Sequence, residues 1–171
     1  MSYVFSGTAE EMMRAFFDHL KRAHEGGPNE DKEFRLALVC LVGLSDRLAQ
    51  TGGVDPQQLE RFWREACEAL RLWHKSIERY LHRTLTLAEG ANEDEWYELC
   101  MRRSVIQLLM DHCAEADLAE SIDSDLVADL DVELRRVGQE QGPVPEPYVP
   151  KGLPDSHWWW HYPGPTADTK G

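Results

Sequence analysis

From Asp55 to Thr84 the chain reads DPQQLERFWREACEALRLWHKSIERYLHRT. Leu59, Trp63, Ala66, Leu70, Trp73, Ile77 and Leu81 recur at every third or fourth position, the spacing that gathers side chains on one face of an α-helix. Asp55-Pro56 supplies a start: a capping carboxylate, then proline at the first helical position, where its missing N–H costs nothing. The spacing predicts one continuous helix of about eight turns, the third in the chain. Its apolar stripe has to be buried against other helices or a sheet, so the segments on either side decide the fold.

Upstream, Thr8 with Glu10 and Glu11 offers a capping hydroxyl and first-turn acids ahead of Met12, Met13, Phe16, Phe17 and Leu20. Gly26-Gly27-Pro28 closes that first helix. Asn29, Glu30, Asp31 and Glu33 open a second, whose unbroken apolar run from Leu36 to Leu44 predicts a central helix with Cys40 in the core, ending at Gly52-Gly53. Downstream, Asn92 followed by Glu93, Asp94 and Glu95 caps a fourth helix that carries Trp96, Leu99, Cys100, Ile106, Leu109, Met110 and Cys113 inward. Ser124 or Asp123 caps a fifth, with Leu126, Val127, Leu130, Leu134 and Val137 apolar and Gly138 placed to end it. No stretch alternates with the period of a half-buried strand. The chain is therefore expected to be all-α: a bundle of four or five mostly antiparallel helices over residues 1–142, with no sheet.

Residues 143–171 break the pattern. Seven of the nine prolines fall between Pro143 and Pro165, which rules out an α-helix and predicts an extended tail. Within it the string Asp155-Ser-His-Trp-Trp-Trp-His-Tyr-Pro163 sets three of the six tryptophans side by side. Three solvated indoles in a row would drive association, so the rings are expected to be covered. Packing of the tail on the bundle would cover them; so would a partner protein, for which Trp158, Trp159, Trp160 and Tyr162 would be the anchors.

At 171 residues, 42% of them hydrophobic, the chain has the length of one domain and enough apolar matter for a core. Eighteen basic against 31 acidic residues leave a formal charge of −13, which repels nucleic-acid backbones and anionic membranes on average. The apolar run Leu36 to Leu44 is under half of the roughly 20 residues a membrane-crossing helix needs. Glu10, Glu11, Arg14 and Asp18 interrupt any export signal near the start. Cys40, Cys67, Cys100 and Cys113 form no C-x-x-C pair and sit in apolar stretches, so all four are expected to be reduced, packed thiols. Together these features predict a cytoplasmic protein.

Between Asp111 and Glu133 the chain carries nine acids (Asp111, Glu115, Asp117, Glu120, Asp123, Asp125, Asp129, Asp131 and Glu133) and neither lysine nor arginine. Helix capping accounts for Asp123 and Asp125. The rest predict a negative ridge able to steer a basic partner or to imitate a row of phosphates.

Three spacings bear on chemistry. His74, Glu78 and His82, taken with His112 and Asp117, resemble the H-x-x-x-E and H-x-x-x-x-D spacings of hemerythrin-like di-iron bundles, a resemblance that implies a metal held between helices. That family's further H-x-x-x-H has no counterpart, since His19 and His24 both fall in the first helix. At 100° per residue, moreover, His74, Glu78 and His82 rotate progressively away from the apolar stripe. Arg14 and His19 have an R-x4-H spacing similar to that of helical HEPN-type ribonucleases, which would imply phosphodiester cleavage. Ala15 stands where that family carries a polar residue, and so acidic a chain is a poor host for RNA. His157 and His161 would share a metal at i, i+4 only on a helix, which the prolines oppose.

No catalytic residue, metal site or cofactor is assigned on this basis. The chain is expected to be a non-enzymatic, acidic protein-binding module: an adaptor, an assembly factor, or an immunity-type inhibitor of a partner with a basic surface, a nucleic-acid mimic being one form of it. It is expected to bind neither nucleic acid nor membrane directly. Its contact residues would be Asp117, Glu120, Asp123, Asp125, Asp129 and Asp131 on the ridge and Trp158, Trp159, Trp160 and Tyr162 in the tail. A metal-binding bundle protein or enzyme is the alternative.

Overall fold

The computed structural model describes residues 3–115 and 118–164, and all regular structure among them is helical. α1 (Ala9–His24), α2 (Glu30–Thr51), α3 (Pro56–Leu70), α4 (His74–Glu89), α5 (Trp96–His112) and α6 (Ser124–Gln141) are joined by short loops and single 3-10 turns. α1 packs along α2, α2 along α5 and α4 along α6, while α5 also meets α3, α4 and α6. None of the described helices is long and apolar enough to cross a membrane.

The start signals close as hydrogen bonds. The Thr8 hydroxyl accepts from the Glu11 amide at 3.1 Å while the Glu11 carboxylate accepts from the Thr8 amide at 3.2 Å, a reciprocal cap. Asp55 accepts from the Gln57 amide with Pro56 beginning α3, Asn92 and Glu95 cap the 3-10 turn that leads into α5, and Asp123 accepts from the amides of Asp125 and Leu126. Asn29 makes no such bond; that end of α2 is tied instead by ion pairs, Glu33 to His19 and Arg22 of α1 and Asp31 to Arg83 of α4. From Phe34 to Leu44 only Arg35 and Leu36 of α2 escape full burial, and burial pushes the Cys40 thiol up to about 11. α5 is equally enclosed: of Leu99 to Ile106 only Arg102 is not buried, although the segment includes Arg103 and Ser104.

Three expectations are corrected. The helix from Asp55 to Thr84 is not continuous, because the 3-10 turn Arg71–Trp73 separates α3 from α4. Trp73 departs from helical backbone (φ −108°, ψ 19°) and stacks on Phe34 of α2 with ring centroids 5.1 Å apart, which leaves Leu72 80% exposed. The tighter winding re-phases the stripe. α3 turns Phe62 onto Phe16 and Phe17 of α1, while α4 faces α6.

Gly138 does not end the last helix, which runs on to Gln141 before Gly142 leaves it at φ +76°. Gly138 has a packing role instead. A Cβ there would lie 2.8 Å from the Tyr162 ring and 3.0 Å from Trp96.

The four cysteines are not all thiols. Cys67 in α3 and Cys113 at the end of α5 form a disulfide, with Cα atoms 5.3 Å apart, while Cys40 and Cys100 are buried and free. No local spacing signalled the pair, because 46 residues of sequence separate the two sulfurs and only the packing of α3 beside α5 joins them.

The described part of the tail, residues 143–164, has no α-helix and runs across α5 between α2 and α6, with 3-10 turns at Glu146–Tyr148 and Trp158–Trp160. It is fastened at several points. The Trp96 indole N–H donates to Gly142 O at 3.0 Å, and the Lys151 amide donates to the buried Asp46 carboxylate of α2 at 2.8 Å. Gly152, at φ +74°, approaches α2 so closely that a Cβ would meet the Ser45 carbonyl at 2.5 Å. Val144, Val149, Trp159 and Trp160 belong to the same buried cluster as the helices' apolar faces.

Candidate functional site

The polar centre of the tail's docking surface is Ser104. A serine fully buried in mid-helix needs partners for its hydroxyl, and the tail brings three. The hydroxyl oxygen accepts from the indole N–H of Trp159 at 3.1 Å and of Trp160 at 2.8 Å, and His157 Nδ1 stands 2.9 Å away. Two indole donors fill both lone pairs, so the hydroxyl's single hydrogen must go to His157 Nδ1. His157 is thereby fixed as the tautomer with hydrogen on Nε2, a buried atom without a hydrogen-bond partner among the described residues. Burial holds the ring's pKa down to about 4; Asp111 pulls it up and Arg103 pushes it down by smaller amounts.

Arg103, the residue before Ser104 in α5, is 3% exposed. Its Nε and Nη2 donate to the two Asp131 carboxylate oxygens at 2.7 and 3.2 Å, and its guanidinium lies over the Trp159 ring, 4.5 Å from the centroid. Trp160 meets Tyr97 edge-on, and the Cys100 thiol reaches towards Trp159 O. Trp158 is half-buried under Arg135 of α6 and edge-on to Tyr162, the ring that covers Gly138. Trp159 and Trp160 are thus occupied inside the molecule, and the Ser104 hydroxyl is closed to any substrate.

The acidic ridge divides into used and unused carboxylates. Asp131 is held by Arg103, Glu133 accepts from Arg136 at 2.7 Å, Asp111 accepts from Gln107, and Asp123 caps α6. The counter-charges missing from the 23-residue stretch itself arrive from α5 and from the end of α6. Glu115, Glu120, Asp125 and Asp129 are exposed and have no ion pair among the described residues. Asp117 lies outside the described residues. Among the open carboxylates of α6 stands Val132, 61% exposed and one turn beyond Asp129.

The remaining histidines do not converge. His74, Glu78 and His82 are exposed along α4, while His112 lies flat on Trp63 with 3.9 Å between centroids and 6° between planes. That stack borders a cleft of about 530 Å³ beside the disulfide, where Arg64, Glu68 and Glu115 mix both signs of charge. His19 Nδ1 is 2.6 Å from Glu33 of α2, a residue Arg22 also binds. His157 is buried and His161 exposed on a cleft of the tail that both border, and no third ligand joins them there among the described residues. Among the described residues no group of three His, Cys, Asp or Glu side chains is placed to hold a metal.

The tryptophans and the acids stand out in the sequence, whereas Arg103, Ser104 and the Cys67–Cys113 pair do not. Arg103 and Ser104 carried a faint signal: two polar residues inside an apolar helix face, in register with Cys100. Comparison of the chain with protein-family models, with curated proteins and with solved structures found no match.

Proposed function

We propose that the chain is a non-enzymatic binding module for a protein partner with a basic surface, and that its contact face is the outer side of α6 with the 3-10 turn before it. The observation that carries this reading is the contrast within one helix. Asp131 and Glu133 are neutralised internally, whereas Asp125 and Asp129, with Glu120 nearby, are exposed without an ion pair, and Val132 is bare beside them. An apolar residue framed by open carboxylates suits a partner that offers lysines or arginines around an apolar contact; the charges raise the association rate and the desolvated centre supplies affinity. Such a face could equally compete with a nucleic acid for the same partner.

The test is capture from the native host with wild-type chain and with Glu120→Lys, Asp125→Lys and Asp129→Lys combined, helical content being checked by circular dichroism. Loss of the captured protein from the reversed chain, and a wild-type on-rate that falls as salt shortens the Debye length to below about 8 Å, support the reading. Equal capture by both chains overturns it. A cytoplasmic setting belongs to the same proposal, and mass measurement after thiol blocking in the host tests it. An intact Cys67–Cys113 bond there would favour an oxidising compartment instead.

A further inference from the structure

We propose that the tail is an acid-sensitive latch: a proton taken up by His157 breaks the Ser104 hub and releases Trp159 and Trp160 from the surface of α5. This is independent of the α6 face and of what binds there.

The proton has one place to go, and the hub has no room for it. At neutral pH His157 Nδ1 accepts the Ser104 hydroxyl hydrogen, because both lone pairs of that oxygen are taken by the indoles. A proton added to Nδ1 turns this acceptor into a donor and leaves two donors facing each other across 2.9 Å. Nε2–H is already buried without an acceptor, so neither nitrogen of an imidazolium could be satisfied in place.

The surrounding charges do not rescue it. From α5, Arg103 faces the ring with like charge, and Asp111 attracts it but is exposed and engaged by Gln107. From α6, Asp131 has both oxygens committed to Arg103. From α2, Asp46 accepts from the Lys151 amide, and in the tail itself Lys151, Asp155 and His161 line the cleft that His157 borders, adding charge of both signs. Once the tail swings out, water solvates both nitrogens and the imidazole recovers its ordinary basicity.

The sign follows from that difference. The open state binds the proton near 6.5 and the closed state only near 4, so the closed state loses stability as pH falls through this window. The opening constant then rises about tenfold for each pH unit across the window, roughly 300-fold in all. Below it no further change is due to this group.

The test uses the full chain. Amide hydrogen exchange is followed for residues 156–161 and, as a reference, for α1 and α5, from pH 7.5 to 4 after correction for intrinsic exchange chemistry. The expected result is loss of protection in 156–161 with the tenfold slope while the reference helices stay protected. His157→Asn keeps an oxygen able to accept from Ser104 and cannot be protonated in this range, so its tail opening should be flat with pH. Should that variant fail to fold, NMR titration of the wild-type imidazole serves in its place: Nδ1 unprotonated at neutral pH and a midpoint displaced well below the free-histidine range are expected. A wild-type tail that stays protected to pH 4, helices that lose protection together with it, an Asn variant with the same slope, or a His157 midpoint near 6.5 each overturns the latch.

Discussion

The tryptophan triad and the acidic ridge are both anomalies of composition, and the structure resolves them in opposite directions. Trp159 and Trp160 go inside, and their burial is made possible by one serine that satisfies both indole N–H groups at once. The ridge stays outside, and what it gives up to the interior is selective: Asp131 turns in to Arg103 while Asp129, two residues earlier, remains in solvent. The lesson is that a run of like residues is not one feature. Which member is structural and which is available depends on whether a neighbouring helix presents a complementary group at that height.

The largest effect is expected on the buried side. Trp160→Ala is expected to cost about 3–5 kcal/mol in denaturant unfolding, since it removes a fully buried aromatic and one of the two donors on Ser104. A loss under about 1 kcal/mol would mean that the tail contributes little to the core. Replacing both Cys67 and Cys113 by alanine opens a link across 46 residues and should cost about 2–4 kcal/mol. Because Cys113 sits where α5 gives way to the ridge, hydrogen exchange should quicken around Leu118–Ser124 before it does around Trp158–Trp160; the reverse order would tie the disulfide to the tail instead. Asp131→Asn should cost about 2 kcal/mol, less than a fully enclosed pair because that carboxylate keeps some exposure, whereas Asp129→Asn should stay within about 0.5 kcal/mol. Equal costs at the two positions would erase the division of the ridge. Smallest of all, Asp129→Lys, beyond the first turn of α6, should leave the melting temperature unchanged to within a degree or two and appear only as a slower association with a basic partner.

The helices could be read because their signals are local. Thr8, Asp55, Asn92 and Asp123 each act on an amide two or three residues away, and the period of Leu59 to Leu81 is visible within a few turns. What escaped reading is all long-range. The break at Trp73 answers to Phe34, Gly138 to Tyr162, and Cys67 to Cys113, contacts that no window of sequence contains. The hub failed to stand out for the same reason: Ser104 is an ordinary serine until residues 53 to 56 positions later arrive around it. Asp131 finds its counter-charge beyond the ridge for the same reason: Arg103 stands eight positions before the first of the nine acids.

That separation also orders events during synthesis. At about 5–20 residues per second, Trp160 is added roughly 3–10 seconds after Ser104. A nascent chain therefore reaches the end of α6 with the side of α5 still bare. The Arg103–Asp131 pair needs only α5 and α6, so it can close early and keep the cleft in shape for the rings that follow. Until they follow, the apolar floor around Cys100 and Ser104 is open to whatever holds unfinished chains, and release from such a holder would wait on the last tryptophan.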